Sequence, residues 1–85
     1  MEFQIIWSES AASELKKLDR TVAKRIFGKV SQLCENPYHF DVTKMVGAPY
    51  FRLRVGDYRV IFDIQNDLLR ILVLKVGHRK NVYKK

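Results

Sequence analysis

Cysteine occurs once in the 85 residues, proline twice and glycine four times. A lone Cys34 rules out an internal disulfide, and no cysteine or histidine spacing suits a zinc site. Cys34 reads instead as a small helix residue near the core, and a reducing cytoplasm is the expected compartment. With so little proline and glycine there is no low-complexity tract, internal repeat or interdomain linker. Long apolar runs are missing as well. A run such as Ile71 to Leu74 falls far short of the roughly 18 residues a membrane span needs, so no membrane association is expected. The opening Met1-Glu2-Phe3-Gln4 lacks the basic region and apolar stretch of a signal peptide. Chemical absences complete the picture: no Gly-rich phosphate loop, no paired acids around a metal, and no serine or cysteine triad. No cofactor or metal is expected.

Acidic residues are also scarce, nine against sixteen Lys and Arg, for a net charge of +7. The imbalance is local. Residues 1–40 hold six bases and five acids, whereas residues 41–85 hold ten bases and four acids. Such a surface favours nucleic acid, an acidic protein partner, or both. Hydrophobic residues make up 47% and aromatics 12%, which is ample for one folded domain over residues 1–85 and too rich for disorder. A chain of this size has a thin core.

Residues 3–7 have the aromatic and β-branched character of a strand. Ser8 or Ser10 caps a first helix that carries Ala11, Ala12, Leu15 and Leu18 on one stripe. Asp19 or Thr21 starts a second, with Val22, Ala23, Ile26, Phe27, Val30 and Leu33 at helical spacing, ended by Asn36-Pro37. These two are expected to form an antiparallel helical hairpin. Residues 37–49 read as a connection. Three strands then follow over residues 50–55, 58–64 and 68–76, joined by Gly56-Asp57 and Asn66-Asp67 as two-residue turns. The expected fold class is therefore α+β: an N-terminal strand, a helical hairpin and a three-stranded antiparallel meander forming one sheet packed on the helices.

If Gly56-Asp57 is the loop, Val55 faces Tyr58, Arg54 faces Arg59, Leu53 faces Val60 and Arg52 faces Ile61. If Asn66-Asp67 is the next, Asp63 faces Arg70 as an ion pair, Ile61 faces Leu72 and Arg59 faces Leu74. Alternation then puts Phe51, Leu53, Val55, Tyr58, Val60, Phe62, Ile64, Leu69, Ile71 and Val73 on the core side. Arg52, Arg54, Arg59, Ile61, Leu72 and Leu74 share the other side, and the three arginines have no acid opposite them. Like charges set across neighbouring strands are destabilising, so their retention points to an anionic partner, and the arginine fork suits phosphate oxygens. The aliphatic neighbours suit the same face to an amphipathic helix or strand. Gly77 is expected to end the last strand and leave His78, Arg79 and Tyr83 beside the sheet. Histidine is suited to proton transfer and Tyr83 to stacking on a base or anchoring the C-terminus.

The order of elements, with Phe51-Arg52-Leu53-Arg54-Val55-Gly56-Asp57-Tyr58-Arg59 and the closing Gly77-His78-Arg79-Lys80-Asn81-Val82-Tyr83, resembles the RelE branch of the RelE/ParE toxins over essentially the whole chain. The resemblance implies a ribosome-dependent mRNA endonuclease acting in the A site, where the 2′-OH attacks the adjacent phosphate to leave a 2′,3′-cyclic phosphate and a 5′-OH. By position it implies that Arg52 and Arg54 contact mRNA and assist proton removal, that Arg59 stabilises the phosphorane, that Arg79 stabilises charge or acts near the leaving group, and that Tyr83 stacks on and orients the substrate base. Family members often carry lysine at the positions of Arg52 and Arg54. Arginine keeps its proton and is a poor base, so either preorganised charge dominates or another group such as His78 moves the proton. The implied partners are the ribosome, mRNA and a RelB-like antitoxin that covers the basic face, with promoter DNA contacted only through the antitoxin complex. A ParE-type toxin that inhibits DNA gyrase without nuclease activity, or an inactive binding relic, would share this fold.

Overall fold

The computed structural model describes residues 2–39 and 41–82. Strand β1 (Gln4–Trp7) leads into helices α1 (Glu9–Lys17) and α2 (Arg20–Gln32), then strands β2 (Val42–Lys44), β3 (Phe51–Val55), β4 (Tyr58–Gln65) and β5 (Arg70–His78), and a short helix α3 (Arg79–Val82). The strands form one sheet in the order β1-β5-β4-β3-β2. The expected α+β class and its main elements stand.

Both long helices begin as the residue types dictate. Ser8 caps α1, its Oγ accepting from the Ala11 N–H, and Asp19 caps α2 by accepting from the Thr21 N–H. Each satisfies an orphan donor of the first turn. The helices pack on one side of the sheet, α1 chiefly against β5 and α2 against β3. Ala11, Ile26, Val30 and Leu33 from the helices meet Leu53, Val55, Val60, Phe62, Ile71, Val73 and Val76 from the sheet in a buried cluster. Phe27 departs from the expected stripe. It is 54% exposed and stacks on the Trp7 ring at 6.0 Å, because a helix on a sheet buries only its central stripe.

The first hairpin has the expected register, with Arg54 across from Arg59 and Arg52 across from Ile61. Gly56 takes the turn at φ 57°, a region that costs glycine little. The second hairpin differs. Its loop is a 3₁₀ turn over Asn66–Leu68, closed by Leu69 at φ 50°, and pairing begins at Gln65–Arg70. Asp63 therefore faces Leu72, and Arg70 donates to the Gln65 side chain at 3.2 Å, so the expected Asp63–Arg70 ion pair is replaced.

Further along, pairing steps from Phe62–Val73 to Ile61–Lys75, leaving Leu74 as a bulge with no opposite residue. The freed Leu74 carbonyl accepts from Ser8 Oγ at 3.2 Å, so the α1 cap also ties down the bulge. Beyond it alternation is reversed. Val76 points to the core, Lys75 faces away from it beside Ile61, and Arg59 stands across from Gly77 rather than Leu74. The connection over residues 37–49 contains a strand not foreseen, β2, paired antiparallel with β3. β1 pairs in parallel with β5, so sequence ends meet in the sheet.

Candidate nucleic-acid interface

Cross-strand pairing sorts the basic side chains into two rows on the side of the sheet away from α1 and α2. One row runs Thr43, Arg52, Ile61 and Lys75 across β2 to β5. The next holds Arg54, Arg59 and Gly77, extended by Asp41, whose carbonyl accepts from the Arg54 N–H at 3.0 Å. Ile61 is only 8% exposed although it belongs to the outward face. Arg52 and Lys75 flank it, and their aliphatic stems are suited to covering it while the charged ends reach outward. Sequence reasoning missed Lys75, since an unbroken ladder gives it core parity. Only the bulge turns it round.

The two central arginines are held in place. Arg59 Nη1 donates to the carbonyls of Gly56 and Tyr58, both at 2.9 Å, folding the guanidinium over the β3–β4 turn. Arg54 Nη2 donates to Asp41 Oδ1 at 2.9 Å, which corrects the expectation that no acid matches it. Arg79 starts α3 and returns to the same turn, its backbone N–H donating to the Asp57 carbonyl at 2.8 Å and its Nε lying 3.9 Å from Asp57 Oδ1. The geometry thus gathers Arg54, Arg59 and Arg79 around residues 54–59.

His78 is placed differently. The strand continues through Gly77, so His78 pairs with Tyr58, on the core side of the alternation, and meets that ring edge-on at 5.5 Å. Its Nδ1 accepts from the Lys80 N–H at 3.2 Å. It is not brought into the arginine rows. Tyr83 lies outside the described residues.

Asp41, at the edge of the sheet beside Arg54, is the residue that the sequence reading passed over. Its carboxylate is 8% exposed and takes Lys29 Nζ of α2 at 2.6 Å on Oδ2, opposite Arg54 on Oδ1. His39 Nδ1 lies 3.9 Å from Oδ2 and accepts from the Asp41 N–H. The hydrogen bond from Lys29, supported by that from Arg54 and by both charges, outweighs burial and holds the Asp41 carboxyl below its ordinary value. A carboxyl held lower in the folded state binds fewer protons there than in the unfolded chain, so it contributes stability above its unfolded value. That contribution disappears as pH falls through the folded one. Asp41→Asn is accordingly expected to lower the thermal midpoint at pH 7, with the gap from the parent closing below about pH 4. Melting curves of both proteins from pH 7 to pH 2.5 check this, and a gap of constant size would contradict it.

Among the described residues no helix is long and apolar enough to cross a membrane. Strand order, two helices on one side and rows of cations on the other define the RelE-like class of small α+β domains. Comparison with known proteins agrees. The family model described as the ParE toxin of type II toxin–antitoxin systems, parDE, matches residues 5–83. The toxin RelE3 of Methanocaldococcus jannaschii is 28% identical over 94% of this chain and 94% of its own length. The mRNA interferase toxin RelE of Escherichia coli K12 is 26% identical over 94% of this chain and 86% of its own. The archaeal RelE–RelB complex of Pyrococcus horikoshii superposes with a TM-score of 0.81 at 26% identity, covering 95% of this chain and 99% of the matched one. The chain belongs to the RelE/ParE superfamily of toxins of type II toxin–antitoxin systems.

Proposed function

We propose that the chain is a ribosome-dependent mRNA endonuclease, neutralised by a RelB-like antitoxin. The observation that carries the reading is the direct pairing of Arg54 with Arg59 across one hairpin, with Arg79 tied to the same turn through Asp57. Charges so arranged are stabilised best by a bound phosphate. The kinship with a protein named mRNA interferase toxin RelE supports the choice of RNA, and the matched RelE–RelB complex supports the antitoxin.

In the proposed reaction the mRNA 2′-OH gives its proton to solvent as its oxygen attacks the adjacent phosphorus, the bond to the 5′-oxygen breaks, and that oxygen takes a proton from solvent, leaving a 2′,3′-cyclic phosphate and a 5′-OH. Arg59 stabilises the phosphorane and Arg79 the charge near the leaving oxygen. Arg52 and Arg54 hold the mRNA and lower the energy of the 2′-oxyanion by charge, since arginine keeps its own proton. Tyr83 stacks on the base. The placement of His78 beside Tyr58 favours charge over histidine as the aid to proton removal.

Purified protein added to ribosomes stalled on a defined mRNA tests the reading. Cuts within the A-site codon, ending in cyclic phosphate and dependent on ribosomes, are expected. The ParE description of the matching family favours a second reading, a gyrase inhibitor without nuclease activity. DNA breaks and an SOS response with intact mRNA would select it, and unchanged growth on expression without a partner would leave an inactive relic.

A further inference from the structure

We propose that Asp41 is a positioning residue for Arg54, holding one edge of its guanidinium so that the rest is presented to an RNA phosphate. The inference rests on the nuclease reading above. Arg54 and Asp41 meet twice, through the backbone at 3.0 Å and through Nη2 and Oδ1 at 2.9 Å. The backbone contact continues the β2–β3 pairing by one residue, so Asp41 stands at the sheet edge beside Arg54, within reach of Lys29 of α2 as well. Charge balance alone does not require the second contact. Lys29 already meets the carboxylate from α2 at 2.6 Å, and Arg54 is 63% exposed, where an ion pair adds little stability.

Orientation is what the contact does supply. Arg54 Nε and Nη1 donate to no acceptor among the described residues, and either can grip a phosphate together with the second Nη2 hydrogen. Asp41 itself is nearly buried and fastened from a second element, so it is a rigid anchor for a long side chain. A guanidinium held in one orientation loses less freedom on gripping a phosphate than one that samples several rotamers. Asp41 touches no substrate in this arrangement. It acts through Arg54.

A double-mutant cycle on single-turnover mRNA cleavage tests the claim. Asp41→Asn and Arg54→Ala are each expected to slow cleavage by about 10-fold to 10²-fold. The pair Asp41→Asn with Arg54→Ala should be no slower than Arg54→Ala alone. Lys29→Met removes the fastening from α2 but leaves the Oδ1 contact with Arg54, so it should slow cleavage by less than Asp41→Asn does. Binding of an uncleavable 2′-O-methyl RNA should change less than cleavage does in Asp41→Asn, because the negative charge that leaves the basic face offsets the lost orientation of Arg54. Multiplicative loss in the double variant, or equal slowing by Lys29→Met, would show a merely structural role and overturn the inference. If the parent cuts no mRNA, the nuclease reading falls. The positioning claim is then decided by the Arg54 Nε–H resonance: a shift with the 2′-O-methyl RNA in the parent but not in Asp41→Asn supports it, and equal shifts or none refute it.

Discussion

Arg59→Ala is expected to lower mRNA cleavage by about 10²-fold or more, the scale seen when one preorganised donor to a developing oxyanion is removed. The Arg59 guanidinium lies against the Gly56 and Tyr58 carbonyls at 2.9 Å, directly across from Arg54. That resting place keeps its charge at the hairpin end, and a phosphate entering between the two arginines gains both forks. Arg79→Ala is expected to fall in the same range, since the Asp57 carbonyl ties the start of α3 to this turn. Arg59→Lys should recover only part of the loss, because a lysine supplies the charge without the planar fork. Single-turnover rates on programmed ribosomes, compared at equal folded fraction, provide the measurement. Loss of the two turn bonds should cost about 1 kcal/mol each in stability, too little to unfold the protein. Near-normal cleavage by both alanine variants would refute the assignment of the arginine cluster.

The largest effect on stability is expected from Phe62→Ala. Phe62 is fully buried at the centre of β4, stacked on Phe51 with ring centroids 5.8 Å apart, and surrounded by the helix and strand residues of the core. Truncating a buried phenylalanine removes transfer energy and leaves a cavity, together about 3–5 kcal/mol. Small domains have about 5–15 kcal/mol in total, so this change takes a large share and should leave a substantial unfolded population near physiological temperature. Phe62→Leu keeps most of the volume and should cost about 1.5 kcal/mol or less. Urea unfolding of the three proteins, read as a fall in midpoint at constant slope, tests the ranking. Equal midpoints for Phe62→Ala and Phe62→Leu would mean that the site relaxes around the cavity.

What local chemistry and short-range periodicity control was legible along the chain. The helix starts were narrowed to Ser8 or Ser10 and to Asp19 or Thr21, and Ser8 and Asp19 are the ones whose side-chain oxygens satisfy first-turn donors. Gly56-Asp57 pinned the first hairpin, since a two-residue loop leaves one register that keeps every apolar side chain on the core face. The meeting of Arg54 with Arg59 followed from that, and with it the basic face. Tertiary structure decided what rests on partners distant in the chain. Strand β2 has only Val42, Thr43 and Lys44 and no pattern of its own; it exists because β3 offers an edge of unpaired backbone groups. The bulge at Leu74 leaves no local signature, yet it reverses alternation and turns Lys75 outward while His78 faces Tyr58. Asp41 reaches Arg54 and Lys29 across separations of 13 and 12 residues, so its place beside the arginines is set by β2 joining the sheet edge and by α2 packing next to it. Alternation can be counted along a strand, but which residue is skipped and which acid arrives from outside depend on three-dimensional packing.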